Sequence, residues 1–464
     1  MTPTTASPAS QDNRVENGII LQPTGEYHSR CESRQPVFCD VSSIPWPVSD
    51  RFTPLGYHVA LTDRFAALST IPGGRAPLAP SGQPASLLHV PGLEALRARP
   101  DTWRRKLQKF TGLLDRPDNH SDPRLRAAVL THAAAVGLPV CLTDDSGLRG
   151  FLPDKVLDLW RSTEPSDLRN PYQRDRIAFR QWSAVLDSLS MRSTWNRLLT
   201  ASGKTALRPR RISVLAVTRR PKMLQFWAQL LAAQDYPDFE VIAGFHGSAF
   251  TRKDESLARN WLGDRLTILR ATDDCVLGDV LNQVTAAASG ELIVKWDDDD
   301  LYSSGHLSDL ARIYEYSGAT MVGKAAEYIY LAASNMTIRF SMRSSELTGF
   351  RMSGNTLCLP REELLNLGGW QPVPRSVDTR LVMEIIRRGG QLYRGVGFGH
   401  LVLRSPHNDH NHTWIHPDRE MMRYCRDQRP GVDADFAMVD VPAELLARWP
   451  YPRRPGLGQE SDVA

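Results

Sequence analysis

The sequence predicts an α/β protein: a mostly parallel mixed sheet with helices on both faces, preceded by a mainly helical N-terminal domain. Three observations predict it. From Ile212 onward, short apolar runs alternate with helical patterns. Before that, segments with apolar residues at helical spacing dominate. Pro, Gly and polar stretches punctuate both regions.

Residues 1–50 are rich in Ser, Thr and Pro with little periodicity, and read as an irregular arm. Residues 51–205 read as the helical domain, with helices over Gly92–Arg99, Trp103–Leu114, Pro123–Ala135 and Ile177–Leu199. Breaks at Ile71–Pro84 and Arg116–Pro123 separate them. Within 206–425, Ile212–Val217 is a strand ending at Thr218, and Pro221 suits the first turn of a helix running to Ala233. Further strands follow at Phe239–Ala243, stopped by Gly244, at Leu266–Leu269 and at Glu291–Trp296, with a helix over Gly278–Ala288. Ligands bind at the carboxyl ends of strands in such sheets, which singles out Thr218–Arg220, Gly244–Gly247 and Asp297–Asp300. Residues 426–464, rich in Arg, Pro and acidic groups, read as a weakly packing tail.

Bulk properties exclude some classes. At 464 residues, with 41% apolar and 23% charged side chains, the chain is ordinary for a soluble globular protein with more than one domain. A net charge of +4 is small, and the basic cluster Arg104, Arg105, Lys106, Lys109 reads as a solvated helix face rather than a nucleic-acid site. No apolar run approaches the ~18–20 residues that cross a bilayer, and Met1–Ser10 does not read as a signal peptide. Cys31, Cys39, Cys141, Cys275, Cys358 and Cys425 are scattered, which fits unpaired thiols in a reducing compartment and a cytoplasmic location.

The sharpest signal is Leu292-Ile293-Val294-Lys295-Trp296-Asp297-Asp298-Asp299-Asp300-Leu301-Tyr302. Adjacent carboxylates repel one another, and at the end of a buried strand they need cations or donors nearby. Hard oxygen ligands suit Mg²⁺ or Mn²⁺ shared with substrate phosphates. Strand alternation would put Asp297 and Asp299 on one side and Asp298 on the other. A solvated acidic turn is the plain alternative. A calcium loop would need Gly where Tyr302 stands, and a phosphatase-type Asp-x-Asp-x-Thr would need Thr where Leu301 stands.

From Arg211 to about Arg423 the chain resembles the family 2 glycosyltransferases of the GT-A (Rossmann-like) fold. The resemblance is carried by Ile212–Thr218, Asp235-Tyr236-Pro237-Asp238 leading into Phe239–Ile242, and Asn282 through Gly290-Glu291 to the acidic loop. Leu367-Gly368-Gly369-Trp370 and Val377-Asp378 complete it. It implies that Asp297 and Asp299 form an Asp-x-Asp motif, with Asp299 on a metal and Asp297 near the metal or donor ribose. Asp300 would lie near the donor sugar, and Thr218 and Arg219 beside the nucleotide. Members often carry an acidic residue after the second strand to contact the base, whereas Gly244-Phe245-His246-Gly247 stands here, so UDP is only the default donor nucleotide.

Inverting sugar transfer needs a carboxylate to take the acceptor's proton. The resemblance places it at Asp378, with Val377 replacing the family's usual Glu; the alternative is that Asp378 caps the helix Thr379–Arg388. In His407-Asn408-Asp409-His410-Asn411-His412-Thr413-Trp414, His412 matches a C-terminal metal ligand of some GT-A enzymes; surface histidines in a polar lid are the alternative. Trp370 suits an acceptor-facing wall or the core. These readings add up to an inverting, metal-dependent glycosyltransferase. Its partners would be a nucleotide-sugar and a glycan, small-molecule or protein acceptor. Its rivals are a non-catalytic nucleotide-sugar or carbohydrate-binding protein and a Mg²⁺-dependent phosphoryl-transfer enzyme.

Overall fold

The computed structural model describes residues 64–90, 103, 106–107, 109–340, 347–348, 352–405, 418–447 and 449. In the first part, strands β1 (Phe65–Ser69), β2 (Ser86–His89), β3 (Gly112–Leu114) and β4 (Val140–Cys141) form a parallel sheet in the order β2-β1-β3-β4. Helices α1 (Pro123–Ala135), α2 (Asp154–Arg161), α3 (Pro171–Leu189) and α4 (Met191–Ala201) surround it. Helix remains the main ingredient, but this sheet was not anticipated. Trp103–Leu114 does not continue as one helix, because Gly112–Leu114 joins the sheet beside Phe65. A Cβ at 112 would press into Leu168 and Phe65, so glycine lets the strand lie close to them. The expected helix Gly92–Arg99 lies outside the described residues.

Local chemistry sets the helix boundaries. Asp122 and Asn170 cap α1 and α3, each with Pro at the first helical position. The single helix expected over Ile177–Leu199 is divided at Ser190, whose hydroxyl caps α4 through Ser193 N.

The second part continues with β5 (Ile212–Thr218), α5 (Leu224–Ala232), β6 (Phe239–His246), α6 (Arg252–Leu262), β7 (Leu266–Ala271), α7 (Leu277–Ala287) and β8 (Leu292–Trp296). Then come β9 (Leu301–Tyr302), α8 (His306–Ser317), β10 (Met321–Lys324), β11 (Tyr328–Leu331), β12 (Met336–Phe340), β13 (Leu347–Thr348) and β14 (Cys358–Pro360). The chain goes on through α9 (Arg361–Asn366), α10 (Val377–Arg387), β15 (Leu392–Gly395), β16 (His400–Arg404), α11 (Asp418–Arg423), β17 (Cys425–Pro430) and α12 (Ala443–Ala447). The main sheet has the order β13-β15-β10-β14-β8-β5-β6-β7, with β14 antiparallel to both neighbours and β13 antiparallel to β15. A second sheet runs β17-β12-β11-β16-β9. This is the mixed, mostly parallel sheet that the sequence predicts, flanked by helices. β6 runs past its expected end at Gly244: a Cβ there would crowd Val280, Val217 and Val284, so the glycine lets α7 lie on the strand.

β5 is the pivot. β6 and β7 extend the sheet on one side of it, while β8 returns to the other. The crevice at the carboxyl ends of β5 and β8 is therefore a topological switch point, where open α/β sheets bind ligands.

One core unites both parts. Phe179 and Trp182 of α3 pack on Phe398 (5.4 Å between centroids) and Tyr316 (5.3 Å, edge-on). Arg339 on β12, 2% exposed, bonds Asp175 of α3 and Glu327, each at 2.7 Å. Of the segment 426–464, expected to pack weakly, the described residues up to 449 instead pair β17 with β12 and bury Phe436, Ala437, Val439, Leu445 and Trp449. Among the described residues no helix is long and apolar enough to cross a membrane. Cys141, Cys275, Cys358 and Cys425 are unpaired, and Cys31 and Cys39 lie outside the described residues.

Candidate active site

β8 is buried along its whole length between β5 and β14 and delivers the acidic loop to the switch point. Strand geometry ends at Trp296, so Asp297–Asp300 form a turn rather than the alternating extension expected. The turn still sorts the carboxylates. Oxygens of Asp297, Asp299 and Asp300 converge within 4.8 Å of one another. Asp298 points away, taking hydrogen bonds from Thr218 Oγ1 and from Arg220, whose Nε lies 3.1 Å from Oδ2. Arg220 Nη1 also donates to Asp299 Oδ2 at 2.8 Å.

The remaining contacts hold this arrangement rigid. Asp300 accepts from Leu403 N at 2.9 Å and from Asn355 Nδ2. The Asp297 N–H donates to Tyr302 Oη at 3.1 Å, and that hydroxyl donates to Asn355 O at the same distance. Lys295, on β8 itself, donates to Asp297 and lies 3.4 Å from Asp378 Oδ1. Asp378 is the second residue of α10, whose N-cap Ser376 has φ 61° and makes no side-chain cap bond. Capping does not account for Asp378. One of its oxygens, Oδ1, is sealed from solvent, while the side chain keeps 31% exposure. Gly354 lies against this carboxylate so closely that no Cβ would fit between them.

Electrostatics follow from burial and crowding. Burial, then Asp299 and Asp297, push Asp300 well above the ordinary carboxylate range. Burial lifts Asp298 to about 6 against the pull of Arg220. It also raises Asp378, which Lys295 opposes. Burial disfavours charge on Arg220 and Lys295, but their carboxylate partners outweigh it and hold both cationic. Behind the loop, burial drives His400 down to about 3 and His306 well below its usual range, so neither imidazole supplies charge. Five carboxylates, Asp297–Asp300 and Asp378, thus crowd two cations, Arg220 and Lys295, and the repulsion that adds to burial in raising Asp300 and Asp298 is what a hard divalent cation, bound through oxygens alone, would relieve.

The other expected residues divide. Thr218 is buried, its hydroxyl committed to Asp298 and to Arg220 N (2.9 Å). Arg219 lies at the β5, β6 and β7 ends, donating to His246 Nδ1 at 3.0 Å and to the carbonyls of Asp273 and Cys275, each at 3.2 Å. Trp370 is 1% exposed and forms core, which overturns its placement as an acceptor wall. Gly368 and Gly369, at φ 89° and 78°, turn the indole inward. There Nε1 donates to Thr285 Oγ1 at 3.1 Å, and Asn282 brackets the Trp370 backbone. His412 lies outside the described residues, as do His407 and His410.

Arg220 falls in the strand-end segment Thr218–Arg220 that the sequence singles out, whereas Lys295, Gly354, Asn355 and His400 were missed. A lysine inside an otherwise apolar strand next to an acidic run was a legible signal for Lys295. Asn355 and Gly354 reach the site only through the tertiary fold.

The chain is similar to a mannosyltransferase from Pyrobaculum calidifontis solved with GDP-Man and Mn²⁺: 18% identity over 44% of this chain and 59% of that one, TM-score 0.35. It is also similar to S. aureus TarS, at 18% identity over 42% of this chain and 37% of that one, TM-score 0.35. A shorter form of TarS, solved with UDP-GlcNAc, gives 16% identity over 52% and 78%, TM-score 0.35. The chain thus spans 59% and 37% of the first two proteins. No curated protein matches it. Residues 214–361 match the model described as glycosyl transferase family 2. That stretch holds most of β5, the switch-point crevice and the whole acidic loop, so it is residues 214–361 that are similar to the family 2 glycosyltransferases.

Proposed function

We propose that this protein is an inverting, metal-dependent glycosyltransferase that moves a sugar from a nucleotide-sugar to an acceptor hydroxyl. One observation carries the reading: three carboxylates converge within 4.8 Å at the switch point, and a fourth, Asp378, reaches the same place from another element through Lys295. The catalytic unit on this reading is 206–425, with Thr218 and Arg219 beside the nucleotide. The ligands bound in the similar structures, GDP-Man and UDP-GlcNAc, make both uridine and guanosine donors worth testing.

Asp299, Asp297 and Asp300 would hold the cation, with His412 as a further ligand. When bound, a divalent ion offsets charge on the leaving diphosphate. The chain's own residues do the rest. Asp378 accepts the proton of the acceptor hydroxyl as its oxygen forms a bond to the anomeric carbon. The bond from that carbon to the diphosphate oxygen breaks, its electron pair leaves with the nucleotide, and the configuration inverts. Arg220, on the same crevice, adds positive charge beside the acidic loop.

The test is hydrolysis or transfer from a panel of UDP-sugars and GDP-mannose, with Mn²⁺, Mg²⁺ or EDTA. Release of nucleoside diphosphate that needs the metal supports the proposal. Metal-dependent donor binding with no turnover would favour a binding protein, and inorganic phosphate released from simple phosphoesters would favour phosphoryl transfer.

A further inference from the structure

We infer that Lys295 is a positioning residue for the base, tying the donor-side carboxylate Asp297 to Asp378 through one buried ammonium. This rests on the reading of Asp378 as the base. Lys295 sits in the middle of the main sheet: its strand is bonded on both sides, and its own N–H donates to Leu357 O at 2.9 Å. The side chain is 7% exposed. An ammonium held in such a place is costly unless carboxylates meet it, and a hydrophobic side chain would serve the strand better.

What meets it defines its role. Asp297 ends the strand that Lys295 belongs to, whereas Asp378 arrives on α10. The sealed Asp378 Oδ1 has no hydrogen-bond partner within ordinary distance, so the ammonium at 3.4 Å is what faces it. On the other flank Gly354 leaves no room for the carboxylate to retreat. The base is thus held between a backbone wall and a cation rooted in the strand that carries the donor loop. A shift of that loop on donor binding would be passed to the base through the ammonium. A lysine that merely neutralised the acidic loop would need no contact with Asp378.

The experiment compares Lys295→Met and Lys295→Arg, alone and combined with Asp378→Asn, using a radiolabelled donor so that residual rates are measurable. Donor affinity is read separately, as the Mn²⁺-dependent thermal shift with nucleoside diphosphate. Lys295→Met is expected to lower kcat about 10- to 100-fold while the donor still binds and the acceptor KM moves little. Lys295→Arg, which keeps the charge and guards against a Met variant that does not fold, should fall between Met and wild type. In the Asp378→Asn background either change should add less than about twofold, since residues acting as a unit are not additive. An unchanged kcat, or the same loss in both backgrounds, would overturn the inference. Full activity of Asp378→Asn by itself would remove the base reading first, a result distinguishable from failure of Lys295 alone.

Discussion

Replacing Asp378 with Asn removes the proton acceptor while preserving shape. A positioned general base contributes about 10²–10⁴-fold, so the barrier to transfer should rise by roughly 3–5 kcal/mol. The structure argues that this loss will not be a folding defect. The side chain is 31% exposed and its ion pair with Lys295 is long, at 3.4 Å, so Asn can take its place without leaving a buried charge of its own. Lys295 keeps Asp297 as a partner, and the raised Asp378 carboxylate, burdened by burial, loses an unfavourable charge. The expected pattern is therefore a melting temperature within a degree or two of wild type, unchanged Mn²⁺-dependent nucleotide binding, and a rate lowered at least about 100-fold. Steady-state transfer, or donor hydrolysis where water serves as acceptor, reads the rate; calorimetry reads donor affinity. Wild-type turnover in this variant would refute the assignment, and a lost melting transition would refute the claim that Asp378 is not a structural residue.

Other outcomes follow from the same geometry. Gly354→Ala places a methyl group against the Asp378 carboxylate, so kcat should fall about tenfold or more while donor affinity, measured by calorimetry, stays within twofold. Far from the site, His132 is buried in α1 and pushed from 6.5 down to about 4 by burial. Its folded-state value lies below its unfolded one, so its contribution is whole above about pH 6.5 and is lost as pH falls toward 4. The full effect is about 3 kcal/mol. Urea midpoints at pH 7 and pH 4.5 should therefore converge in His132→Phe more than in wild type.

Much of the fold was legible because its long elements carry their own signal. β5 and β8 are apolar runs, and α1 and α3 announce themselves with Asp122-Pro123 and Asn170-Pro171. The first sheet was hidden because β3 and β4 span only three and two residues, too few for any period to show. The acidic loop was readable from charge alone, but its geometry was not. Local alternation would have grouped Asp297 with Asp299, and a turn added Asp300 to them. The way Asp298 is shared between Thr218 and Arg220 needed β5 and β8 to be neighbours, which no local pattern states. For Trp370 the sequence offered a ligand wall or the core, and only the fold, with positive φ at both preceding glycines and the ring 1% exposed, selects the core.

The central claim is that the converging carboxylates bind a nucleoside diphosphate through a divalent cation, and Asp299 is the residue that tests it. Thermal melting of wild type and Asp299→Asn with UDP or GDP, each with Mn²⁺ and with EDTA, is the direct measurement. Wild type should show a shift that vanishes with EDTA, worth about 2.7 kcal/mol when ligand is 100-fold above Kd, and Asp299→Asn little or none. An equal, metal-dependent shift in both proteins, or a wild-type shift that survives EDTA unchanged, would contradict it.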